Sequence, residues 1–111
     1  MYKRQHQALA QLHATLGNRT QAFESAQRAV DTAERYAASP QPNDTRTGHL
    51  ARSYLVQAIV QSRFGEQKAT RESAARAVAL WRQVHNAGVL ALHRGAIEQA
   101  DVLARNDQPP R

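Results

Sequence analysis

The side chains best suited to hold a metal ion or move a proton are five histidines: His6, His13, His49, His85 and His93. None stands four residues from another, so no pair shares a helix face as a helical zinc site requires. They are expected as polar surface or half-buried helix residues. Asp31 and Glu34 could pair as carboxylates for acid–base work. The spacing of Asp31 to Arg35, Glu24 to Arg28 and Glu72 to Arg76 instead predicts i,i+4 ion pairs on a solvated face, each worth a few tenths of a kcal/mol. There is no cysteine, which excludes disulfides and thiolate metal sites. No Gly-rich phosphate loop occurs. The chain is therefore expected to be non-catalytic, with no catalytic residue, metal or cofactor.

Arg63, Lys68, Arg71 and Arg76 form a basic cluster that could touch phosphates. Glu66 and Glu72 dilute it, and aromatic residues do not interleave it. The net charge of +6 is carried mainly by Arg in an Ala-rich chain, a composition that a GC-rich genome also produces. Nucleic acid is accordingly not the expected partner, and a basic helical nucleic-acid-binding protein is the trailing alternative.

The elements that would position any site read as helical nearly throughout. Leu9, Leu12 and Leu16 predict a first helix over 6–16, ended by Gly17-Asn18. A second runs from Arg19 or Thr20 to Ala37, burying Ala22, Phe23, Ala26, Ala29, Val30 and Ala33, with Tyr36 or Ala37 closing the stripe. Ser39-Pro40-Gln41-Pro42-Asn43 is a loop, because its prolines remove donors and bias the preceding residues away from helix. Asp44 is the expected N-cap of a third helix reaching Arg63. It buries Leu50, Tyr54, Leu55, Ala58 and Ile59, with Phe64 beside them. Gly48 is expected to fray its first turn. Gly65 ends it. A fourth helix is expected over 67–85, with Ala74, Ala77, Val78, Trp81 and Val84 on one face and Gly88 as its C′ stop. A last helix is expected over 97–105, followed by a frayed tail at 106–111. No run of about 18 apolar residues and no signal-peptide core are present, so no membrane span and a cytoplasmic location are expected.

Two stretches repeat each other without a gap. The segment from Leu16 to Val30 aligns on that from Phe64 to Val78, with Gly17 on Gly65. Gly, Glu, Ser, Ala, Arg, Ala and Val recur in register, where composition alone would give roughly two matches. Each copy is a helix–turn–helix unit with glycine at the turn and small residues on the second helix. Small residues let helices approach to about 8 Å. Ala26, Ala29, Ala33, Ala74 and Ala77 supply that seam, and Phe23, Tyr36 and Trp81 fill the wider gaps.

This pattern resembles the tetratricopeptide repeat family over about 8–84. Gly17 and Gly65 match its glycine, Leu16 and Phe64 the large residue before it, Ala29 and Ala77 its small position, and Trp81 its later aromatic. His13 and Gln61 stand where the family prefers Trp, and Thr20 and Lys68 where it prefers Tyr. Ala33 replaces an aromatic in the first copy, and the period is longer than the usual ~34 residues. The resemblance implies an all-α antiparallel helix-hairpin array, an α-solenoid. Two hairpins would span 6–85, with a capping helix segment over 86–105. It also implies peptide or protein binding in a groove lined by the first helices, through Gln11, Ala14, Asn18, Gln21, Ile59, Ser62, Glu66 and Ala69. Asn18 matches an asparagine that bonds a bound peptide's backbone. The basic residues of the family's carboxylate clamp are missing, and Glu66 would repel a carboxylate.

The segment from Ala79 to Leu90 is similar to the closing segment of bacterial proteins in which a serine/threonine kinase domain precedes such repeats. His93-Arg94-Gly95 has glycine where a kinase catalytic loop needs Asp, so no kinase element lies in the chain. Met1–Gln5 resembles the translation of a transposon end used in sequencing libraries. Both features lead to the expectation of a C-terminal fragment whose upstream repeats are missing, and which self-associates through the face they would cover. The alternative parent is a transcriptional regulator with a helical-repeat sensor.

Overall fold

The computed structural model describes residues 18–37 and 43–105. The first expected helix lies outside them, with Gln11, Ala14 and Gly17. So do the region 1–5, most of the proline loop and the tail.

Helix α1 (Arg19–Ala37) forms where Ala22, Ala26, Ala29 and Ala33 recur every three or four residues. All four are buried, and Val30 lies beside them. The stripe does not extend to Tyr36, which is 49% exposed and packs its ring under the Arg46 guanidinium, 4.5 Å from the centroid.

Helix α2 (Asp44–Arg63) is the central element. Val56 and Val60 pack against Ala22 and Ala26 of α1, joined by Phe23 and Phe64, whose rings lie 5.8 Å apart. Ala51 and Leu55 belong to a second cluster with Ala77, Trp81, Val84 and Ala100. α2 is thus buried on two sides, towards α1 and towards the helix that carries Ala77 and Trp81. Asp44 is not its N-cap. Asn43 is, in extended conformation, its Oδ1 accepting from the Arg46 N–H at 2.8 Å.

Phe64 and Gly65 make the turn out of α2. The Gly65 N–H donates to the Ser62 carbonyl at 3.1 Å and the Glu66 N–H to Gln61 at 3.0 Å. Gly65 has φ of 78°, in the left-handed region where a side chain is strained. The chain then reverses into α3 (Gln67–Trp81), which buries Thr70, Ser73, Ala74, Ala77 and Trp81. The paired alanines of the two copies, Ala26 with Ala74 and Ala29 with Ala77, are all at most 1% exposed.

Helix α3 stops at Trp81, one turn before the expected His85, and the chain just beyond it is held by a residue distant in sequence. The Asp44 carboxylate accepts from the backbone N–H groups of His85 at 2.9 Å and Asn86 at 2.7 Å. That clamp ties the exit from α3 to the start of α2. Asn86 then caps α4 (Ala87–Leu92), its Oδ1 accepting from the Val89 N–H at 3.1 Å. Gly88 therefore lies inside a short helix and stops nothing. The last helix, α5 (Arg94–Arg105), starts three residues earlier than expected.

His93 joins α4 to α5 and is 3% exposed, which corrects its expected surface or half-buried place. Its ring lies 5.9 Å from Trp81 and 6.0 Å from His49. It also explains Gly48. That residue is buried in α2, and a Cβ there would sit 3.1 Å from His93 Nε2. Gly48 is a close-approach position, not a frayed end.

Among the described residues there is no strand. No helix among them is long and apolar enough to cross a membrane.

Candidate protein-binding furrow

Helix α2 presents one row of side chains into the space between α1 and α3. Leu50, Tyr54, Gln57 and Gln61 recur at i, i+4, i+7 and i+11, which stacks them along one line of the helix. At the Gln61 end the row is polar and linked to both walls. Gln57 donates through Nε2 to Gln27 Oε1 of α1 at 3.0 Å. The Ser73 hydroxyl of α3 lies 2.8 Å from Gln61 Oε1, to which it donates, and 3.4 Å from Gln57 Oε1. Gln27 Nε2 donates in turn to Asp31 at 2.9 Å. This floor therefore spends its hydrogen-bonding groups largely on itself.

At the Leu50 end the furrow opens into a cavity of about 500 Å³. Leu50, Ala79 and Leu80 give it apolar lining, with Tyr54 at its base and Glu34, Arg76 and Gln83 around it. The Tyr54 hydroxyl donates to Glu34 Oε1 at 2.8 Å. The Arg76 guanidinium stands 5.7 Å from the Tyr54 ring centroid. Burial raises the Tyr54 pKa above its ordinary value of 10.0; Glu34 adds to the rise through its hydrogen bond and charge, and Arg76 opposes it. Glu34 and Arg76 form no ion pair with each other, so at the cavity a carboxylate on the α1 wall faces a guanidinium on the α3 wall.

The groove residues expected from sequence are distributed differently. Asn18 and Gln21 are exposed at the start of α1. Ile59 is half-buried against the Leu55–Trp81 cluster, and it lies about half a turn round α2 from the Gln61 row at roughly 100° per residue. Ser62 is exposed and Ala69 half-buried. Glu66 pairs with Arg19 at 2.6 Å, joining the starts of α1 and α3 near the Gln61 end of the furrow. Of the expected groove residues that are described, none lines the cavity at the Leu50 end.

The expected Asp31–Arg35, Glu24–Arg28 and Glu72–Arg76 ion pairs do not form among the described residues. Asp31 accepts from Gln27, and Arg76 stacks on Tyr54. Among the described residues the ion pairs are Arg19–Glu66 and Arg105–Asp101. The sequence signal for the furrow was the α2 row itself, which turns from apolar Leu50 and Tyr54 to polar Gln57 and Gln61 at constant helical spacing. Among the described residues no group of three or more His, Cys, Asp or Glu is placed to hold a metal ion.

No family model matches the chain, and no curated protein or solved structure matches it either.

Proposed function

We propose that the chain is a non-catalytic protein-interaction or scaffold segment built from tetratricopeptide-like hairpins. In this reading it is the C-terminal part of a larger bacterial protein, a serine/threonine kinase being the leading parent. The repeated Gly, Ser, Ala and Val positions support the repeat reading, since the copies bury equivalent alanines. The observation that carries the binding reading is the furrow. An open cavity of about 500 Å³ with apolar lining and a few convergent polar groups is of the size and character that takes a partner's side chains. Its two walls come from α1 and α3, the helices that carry the two repeated segments.

The test is a photo-crosslinking amino acid placed at Gln83, on the cavity, in the full-length protein expressed in its host. A discrete protein adduct is expected from Gln83 and not from the same probe at exposed Gln99 of α5. Identical adducts from both positions, or none from either, would sink the binding reading.

A further inference from the structure

Resting on that binding reading, we propose that the furrow takes an amphipathic α-helix of a partner protein. The helix presents an apolar ridge to Leu50, Tyr54 and Leu80, basic residues along the edge facing α1 and acidic residues along the edge facing α3.

Two observations choose this occupant. The first is the state of the floor. Gln27, Gln57, Gln61, Ser73 and Asp31 are hydrogen-bonded among themselves. An extended peptide needs donors and acceptors for its own backbone, and the floor has few left to offer. A helix brings its backbone already satisfied and asks the floor only for contact. Helices also seat naturally in the trough between two others, at about 8–10 Å between axes. The second observation is charge. Glu34 on α1 and Arg76 on α3 flank the same cavity, both exposed and each engaged with Tyr54 rather than with the other. A helix with cations on one edge and anions on the other complements both walls in only one direction. Inserted the other way round, it sets like charges opposite each other, which is how a rim selects against wrong partners.

The experiment uses the full chain and a displayed library of helical peptides about 20 residues long. The ridge is fixed as Leu, and the flanking positions vary among Lys, Glu and Ser. Wild type should enrich Lys on one flank and Glu on the other. The single variant Glu34→Arg, with helicity checked by circular dichroism, makes both walls positive, so it should enrich Glu on both flanks and bind the wild-type selection roughly tenfold more weakly. Ala79→Trp, which fills the cavity without changing charge, should lose the enrichment, and it keeps the test decisive if the charge variant does not fold. Charge-blind enrichment, or enrichment unchanged by either variant, overturns the proposal. Enrichment of no peptide overturns it too; a Gln83 adduct would then keep the binding reading, and the lack of one would end both. A shift in sedimentation mass on charge reversal would name a second copy of the chain as occupant, and would overturn the proposal as stated.

Discussion

Tyr54 sits where three helices meet, and its hydroxyl is the most informative single atom of the furrow. Donation to Glu34 requires the neutral phenol, and burial favours the same form, so the folded chain holds that proton more tightly than the unfolded chain does. The sign follows directly. A pKa raised on folding contributes stability that is complete below the unfolded value and is lost as pH rises through the folded one. Wild-type stability should therefore fall as pH climbs above about 10, while Tyr54→Phe lacks that part of the decline. At about pH 8 the variant should be less stable by roughly 0.5–1.5 kcal/mol, the ordinary worth of one hydrogen bond, towards the lower end because Glu34 is exposed. Urea denaturation of both proteins across that range is the measurement. A stability gap that stays constant with pH would remove Glu34 as the phenol's partner.

At the scale of elements, the alanine seams govern how closely the helices lie. Ala29 and Ala77 are both 0% exposed and occupy equivalent places in the two copies. Leucine at either should overpack its seam and cost roughly 1–3 kcal/mol, whereas Ala75→Leu, on the exposed side of α3, should stay within about 0.5 kcal/mol. Thermal unfolding of the three variants decides it, and full stability in both seam variants would refute the close packing. These seams were legible because they are periodic and local. So were the Gly65 turn and the extents of α1 and α2. The stretch after Trp81 was not legible, because what shapes it comes from far along the chain. Asp44 draws the His85 and Asn86 amides, and the His93 ring needs the bare backbone of Gly48. Neither pairing leaves a local mark, so Asp44 read as an N-cap and Gly48 as a weak first turn. The furrow failed for a related reason. Tyr54 read as core and Arg76 as half of an i,i+4 pair, each being judged on its own helix, whereas the site exists only between helices.

For the whole molecule, the arrangement of its two apolar clusters sets how it should open. Among the described residues, α2 belongs to both clusters, α1 to one, and α4 and α5 to the other. A helix packed into one cluster should open at less cost than one shared by two. Native-state hydrogen exchange should accordingly find the slowest amides in α2 and the facing turns of α3, and faster exchange in α1 and α5. The fastest should lie in α4, a helix of 6 residues with no buried side chain. The Asp44 clamp modifies this order, because it fastens the entry to α4 directly onto α2. Asp44→Ala should therefore speed exchange of the His85 and Asn86 amides and of α4, and leave α1 unchanged. Uniform exchange across all helices would mean that the chain opens only as one unit. The furrow would then move as a rigid block, and a partner helix could not gain access by displacing α1 alone.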